Sequence, residues 1–279
     1  MGNYSQIDTI LRNATHAKIL LLDNNNLQFY YQYEDVLPKS EMFAPYDLVL
    51  IPGWVQAEYA HHARKSNYIS NIPVPTYVID EFEDYLPLLE YSDLKLLALF
   101  RLSSVHSEAL QFFGRYRHLH AEELPDDWLE QFYDHGFTTK QTNTRITKKN
   151  AGEVSLVTLC FCLLHHYHTQ IQHLTIASTD FGIIKIKDRV LQESQYAPFY
   201  GCFSAHPPIS FLSTDVSIYR AVKQGTLAIQ DIPRLRPNPK SAQYIQHHAD
   251  YTSTLHSHVL TLDQFIVICN DTDNYTFIF

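Results

Sequence analysis

The sequence is short of the features that would take it outside the ordinary globular class. It has four cysteines, Cys160, Cys162, Cys202 and Cys269, with no C-x-x-C pair, and the first two lie inside an apolar run. That spacing builds neither a disulfide framework nor a zinc site, so a reducing compartment, the cytoplasm, is expected. No apolar run reaches the roughly 18 residues that a membrane helix needs, and no membrane partner is expected. The opening MGNYSQIDTI has no basic stretch leading into an apolar one, which argues against a secretory signal. No glycine-rich loop accompanies Asp180-Phe181-Gly182, so a kinase reading fails, and no G-x-S-x-G elbow offers a serine nucleophile. His165, His166, His168 and His173 crowd together without a cysteine or acidic partner at ligand spacing. Positive charge is scarce too: 21 Lys and Arg stand against 30 Asp and Glu, a net charge of -9. Such a chain is not held on a polyanion by its overall field, so any such substrate must meet a local basic patch.

What is present is a 279-residue chain that is 45% hydrophobic, enough for one large domain with extensions or two small ones. Its organising stretch is Ala17–Asn26, AKILLLDNNN. A short continuous apolar run is how a strand buried on both faces of a parallel sheet reads. It stops at Asp23, at the strand's carboxyl end, the edge where ligands and chemistry sit in open α/β sheets. Further strands are expected over Tyr46–Ile51, Thr76–Ile79, Leu174–Ala177 and Ile209–Leu212. Helices are expected over Tyr4–His16, Pro52–Arg64, Ser92–Tyr116, Pro125–Tyr133, Ala151–His166 and Asp215–Gln224, with another starting at Asp80–Asp84. Thr138–Asn150 is polar and reads as an exposed basic loop, and the tail ends in two β-like runs, Phe265–Cys269 and Tyr275–Phe279. Strands alternating with helices give an α/β fold, a three-layer α/β/α arrangement around a mainly parallel sheet. Residues 1–225 form the main domain, with 80–150 a helical insertion ending in the basic loop, and 226–279 a small C-terminal extension.

Four acids share one setting in this scheme. Asp23 and Asp180 end strands, Glu58 lies two turns into the helix after the second strand, and Glu153 opens the helix after the basic loop. All four then reach the carboxyl edge of the sheet. Carboxylates packed together repel, so one or more must take up a proton or bind a cation. Hard oxygen donors with room for water suit Mg²⁺ or Mn²⁺. Such an ion activates water and neutralises charge on a phosphodiester.

The four acidic pieces resemble those of PIN-domain nucleases. LLLDNNN is similar to that family's opening strand, IPGWVQAEY to its second acidic helix, NAGEVSLVTL to its GE-plus-small-residue helix, and TIASTDFG to its strand-end acidic element. The resemblance spans about residues 16–225. It implies a PIN-like fold and a metal-dependent endoribonuclease acting on single-stranded RNA. Asp23, Glu58, Glu153 and Asp180 would hold Mg²⁺ or Mn²⁺, and the product would end in a 5′-phosphate. Many bacterial members of the family are toxins silenced by an antitoxin; others process RNA or act in defence. The gap between Glu58 and Glu153 is longer than in compact members, and the tail beyond about residue 226 has no counterpart.

Around the acids, Asn25 and Thr179 are candidate contacts to substrate or metal-bound water. Arg145, Lys148 and Lys149 of the basic loop are candidate phosphate contacts. The expected partner is single-stranded RNA, with an antitoxin, another protein or a second copy of the chain left open. Each acid also has a plainer reading. Asp23 suits a turn, Glu58 a solvated helix position, Glu153 a capping box with Asn150, and Asp180 a helix cap. Trp54 and Tyr59 could stack unpaired bases or fill the core. The rival functions are a non-catalytic PIN-like scaffold for RNA or protein, and a structure-specific DNA nuclease.

Overall fold

In the computed structural model, residues 2–116, 124–142, 145–193 and 208–279 are described. The short apolar runs of the sequence become a five-stranded parallel sheet. Its strands are β1 (Ala17–Leu22), β2 (Leu48–Pro52), β3 (Thr76–Ile79), β6 (Ile171–Ala177) and β7 (Ile209–Phe211), in the spatial order β3-β2-β1-β6-β7. Helices flank it, giving the three-layer α/β/α arrangement expected. β1 and β2 are buried almost throughout, as central strands covered on both faces must be.

The chain runs outward from β1 to β2 and β3, then returns to the other side of β1 for β6 and β7. The order reverses between β1 and β6, where the segments leaving the two strands part and open a crevice at their carboxyl ends. Register fixes what sits there. Leu22 pairs with Ala177, and the Asp23 amide donates to the Ala177 carbonyl at 3.0 Å. Asp23 and the Ser178–Asp180 segment therefore leave the sheet side by side.

Helix α1 (Tyr4–Arg12) precedes β1, and α2 (Asn24–Gln32) follows it, with α3 (Lys39–Phe43) leading into β2. The single helix expected over Pro52–Arg64 is instead two. Pro52 ends β2, α4 (Gly53–Ala57) stops with Glu58 as its cap, and α5 (Ala63–Ser70) begins after a turn and packs against α2. The expected helix over Ser92–Tyr116 is also two, α6 (Asp93–Ser103) and α7 (Ser107–Arg115). Ser104 is extended and its hydroxyl bonds back to the Phe100 carbonyl at 2.7 Å, which is how serine competes with helix continuation. No helix starts at Asp80–Asp84. The Asp84 carboxylate instead accepts from the amides of Asp80, Asn3 and Tyr4, tying this turn to the start of α1.

After α8 (Trp128–His135), the expected loop over Thr138–Asn150 contains an antiparallel hairpin, β4 (Thr139–Thr142) and β5 (Arg145–Lys148). Helix α9 (Ala151–His166) matches its expected bounds and is buried on nearly every side, consistent with its apolar sequence. It packs on β1, β2 and β6. Helix α10 (Gly182–Gln192) follows β6, and α11 (Thr214–Lys223) follows β7.

The chain beyond residue 225 holds a short helix α12 (Ile232–Leu235) and a second sheet of β8 (Lys240–His247), β9 (Ser253–Leu260) and β10 (Tyr275–Phe277), order β10-β8-β9. The apolar run Phe265–Cys269, expected as β, lies in helix α13 (Leu262–Asn270). A capping box between Thr261 and Gln264 starts that helix. Buried Arg236 fixes the segment to the main sheet's helices. Its Nε meets Asp215 of α11 at 2.7 Å, and its guanidinium also donates to the Leu260 and Lys240 carbonyls. Among the described residues, no helix is long and apolar enough to cross a membrane.

Candidate active site at the carboxyl edge of the sheet

Asp23 is placed by β1 and the start of α2. Its carboxylate accepts from the Asn24 amide at 2.8 Å, so its local role is to cap α2, not to form the turn of its plainer reading. Asp23 is 6% exposed, and burial is the main force pushing its carboxyl up to about 7. The negative charges of Glu58 and Asp180 push the same way, against the Asn24 and Asn25 amides. Glu153 is pushed up to about 8, first by burial, then by Asp180, with which it shares a hydrogen bond, and then by Asp23 and Glu58. The fold therefore sets these four acids, far apart in the chain, close enough to raise one another's affinity for protons.

Glu58 reaches the edge as the cap of α4, not from within a longer helix. Asn24 Nδ2 donates to Glu58 Oε2 at 3.0 Å. Gly152 makes room for it: a β-carbon there would come within 3.1 Å of both Glu58 Oε1 and Val55. The GE pair of α9 thus works in two parts, Gly152 admitting Glu58 and Glu153 turning to Asp180. The plainer reading of Glu153, a capping box with Asn150, does not hold, because Asn150 adopts a left-handed backbone and its side chain makes no cap bond. Asp180 is exposed, and its Oδ1 accepts from the Gly182 amide at 2.6 Å, so it also helps open α10.

The donor set is all carboxylate oxygen, which fits a hard divalent cation of the Mg²⁺ or Mn²⁺ kind. Among the described residues, however, no three His, Cys, Asp or Glu side chains stand as a formed metal-ligand group. Each carboxylate is engaged instead: Asp23 with the α2 amides, Glu58 with Asn24, and Glu153 and Asp180 with one another.

Two neighbouring residues escaped the sequence reading. Lys65 of α5 is buried, and its Nζ donates to Asn24 Oδ1 at 2.9 Å, joining a cation to the Asn24–Glu58 pair. Glu81, just past β3, is fully buried, and its Oε1 accepts from the Trp54 amide at 2.9 Å and the Ser155 hydroxyl at 2.5 Å. Burial lifts it to about 8, and its Oε2 has no hydrogen-bond partner among the described residues. Neither carried a signal in the sequence. Lys65 sits in a polar stretch, and Glu81 lies in the acidic Asp80–Asp84 segment that reads as the start of a helix.

The remaining candidates divide. Asn25 and Thr179 are exposed beside Asp23 and Asp180 and face one cleft. Lys148 is held at the hairpin, donating to the Asp134 carbonyl at 2.7 Å and the Thr139 hydroxyl at 3.1 Å. Lys149 is exposed just beyond it. Arg145 belongs to β5, but its side chain lies outside the described residues, as does Cys202. Trp54 is core, packed among Phe100, Phe132, Tyr133 and Phe137, and Tyr59 is buried as well. Compared with protein-family models, curated proteins and solved structures, the chain matches none.

Proposed function

We propose that this protein is a PIN-like, Mg²⁺- or Mn²⁺-dependent endoribonuclease that hydrolyses phosphodiesters of single-stranded RNA. The observation that carries the reading is the convergence of Asp23, Glu58, Glu153 and Asp180 at the point where the strand order reverses. There Asp23 and Glu153 are held near neutrality by burial and by the other acids. A group of carboxylates that cannot all ionise together is poised to take up compensating positive charge.

Asp23, Glu58, Glu153 and Asp180 would hold the cation. When bound, it supplies charge neutralisation at the scissile phosphate and an activated water. Asn24 orients Glu58, and Lys65 fixes the amide of Asn24 so that its Nδ2 faces the carboxylate. Asn25 and Thr179 stand where substrate would pass. Lys148, Lys149 and Arg145, from the hairpin leading into α9, would meet the RNA backbone further out.

The test is incubation of labelled single-stranded RNA or DNA with the protein in Mn²⁺ or in EDTA, repeated with Asp23→Asn. Cleavage of RNA that needs Mn²⁺ and is lost in Asp23→Asn is the expected result. A second reading, a non-catalytic scaffold for RNA or protein, is favoured by the lack of a formed ligand group among the described residues. Fresh protein that cuts neither polymer would establish it, and cleavage of DNA alone would indicate a DNA nuclease.

A further inference from the structure

Next to the acidic edge lies a cleft of about 690 Å³ between α2 on one side and the segment around Pro237–Ser241 on the other. Its near end is formed by Asn25, two residues after Asp23, and Thr179, one residue before Asp180. The cleft therefore begins beside Asp23 and Asp180. The C-terminal segment creates it, anchored by the buried Arg236–Asp215 pair and by Phe279, whose ring lies 4.3 Å from that of Phe181.

The lining has a definite chemistry. Asn25, Gln28 and Gln32 are exposed along α2 at i, i+3 and i+7, so their carboxamides form one row. At about 1.5 Å of rise per residue, the row runs roughly 10 Å away from Asp23. Half-buried Tyr33 and Phe181 add aromatic surface. The opposite wall adds Lys240, whose Nζ donates to Thr214 Oγ1 at 3.2 Å and lies 3.9 Å from Asp215, and that carboxylate, the wall's one, is also paired with Arg236, so the two cations leave this wall one positive charge in excess. Carboxamides carry a donor and an acceptor each, the complement of unpaired base edges, and aromatic rings stack bases. A wall with one positive charge in excess and no uncompensated carboxylate contrasts with the acidic edge it adjoins.

We propose that this cleft binds the nucleotides flanking the scissile phosphate of single-stranded RNA. In it the α2 amide row reads bases, Tyr33 and Phe181 stack them, and Lys240 meets a phosphate. The proposal rests on the nuclease reading above for its substrate class. It gives the C-terminal segment a role: that segment builds one wall of the substrate cleft and thereby sets which sequences are cut.

The test uses the full chain in EDTA and fluorescent single-stranded RNA 12-mers of differing base composition, followed by anisotropy. Gln28→Ala/Gln32→Ala keeps good helix formers on an exposed face, so its thermal melt should match the wild type. It should weaken binding about tenfold, two hydrogen bonds' worth, and flatten the preference among bases. Gln28→Glu/Gln32→Glu should weaken it further by adding charge of the phosphate's own sign. Equal binding by wild type and both variants would overturn the cleft, and so would no binding by the wild type. If wild type cuts RNA in Mn²⁺ while both variants bind and cut as it does, the nuclease reading survives and the cleft does not. Binding that depends on the pair, without any cleavage, would sustain the cleft and end the nuclease reading.

Discussion

Asn24 bridges Glu58 to a buried lysine: its Nδ2 donates to Glu58 at 3.0 Å, and its Oδ1 accepts from Lys65 at 2.9 Å. The amide can face only one way in this arrangement, because Lys65 can only donate and an ionised Glu58 can only accept. Removing it with Asn24→Ala frees Glu58 to move within the acid group. RNA cleavage should fall about 10- to 100-fold, the range for losing a group that orients a metal ligand. The melting temperature should fall as well, because buried Lys65 loses its Asn24 acceptor. Single-turnover cleavage of a short RNA checks this, and an unchanged rate would show that Asn24 does not position Glu58.

Three carboxyls, buried Asp23 and Glu81 and half-buried Glu153, set the pH dependence of stability. Asp23 sits at about 7 and Glu81 and Glu153 at about 8 in the folded protein, against roughly 4 in an unfolded chain. Folded values above unfolded ones mean that the folded state binds these protons more tightly. Their favourable contribution is complete below about pH 4 and is lost as pH rises through about 7 to 8. In EDTA, melting temperature should therefore drop between about pH 5.5 and pH 8.5. A rise over that interval would contradict the burial of these groups.

Glu81 isolates one part of that effect. Gln at position 81 keeps an acceptor for the Trp54 amide and the Ser155 hydroxyl but cannot ionise. Glu81→Gln should leave stability at pH 5.5 nearly unchanged and raise it at pH 8.5, where each pKa unit relieved is about 1.4 kcal/mol. Chemical denaturation at the two pH values measures the difference.

Asp23→Asn separates stability from activity. Asn caps a helix about as well as Asp, so the start of α2 survives, while a buried charge beside other carboxylates disappears. The variant should melt at or above the wild-type temperature at pH 8 in EDTA and yet be inactive on RNA. Melting several degrees below wild type would mean that the Asp23 charge stabilises the fold.

The Arg236–Asp215 pair should behave as a buried ion pair does when one partner is removed. Arg236→Met leaves buried Asp215 with only the partly exposed Lys240, 3.9 Å away, as counter-charge and should cost about 3 kcal/mol, the low end for breaking a buried pair. Arg236→Met combined with Asp215→Leu should recover much of that loss. Urea denaturation of the single and double variants tests the coupling.

The parts of the fold visible in the sequence were those with one dominant physical signal. β1 and α9 declare themselves because near-continuous burial demands near-continuous apolar sequence. The setting of Asp23 and Asp180 followed from apolar runs that end abruptly. The helix break after Glu58 was hidden because a helix and a cap followed by a turn share the same local residues. β8 and β9 were missed because KSAQYIQH and STLHSHVL are polar strands of a half-exposed sheet. Phe265–Cys269 misled because five apolar residues fit helix or strand alike, and the Thr261–Gln264 box that decides between them lies just upstream. Lys65 and Glu81 became visible only through burial, which no local pattern reports.

The central claim, that the four acids act as one cation-binding group, is tested most directly by calorimetric titration of the chelator-treated full chain with Mn²⁺ at pH 8. Wild type should bind saturably. Asp180→Asn, an exposed change that leaves the fold intact, and Glu153→Gln should each weaken that binding at least tenfold. No saturable binding by wild type, or the same affinity in all three proteins, would contradict it.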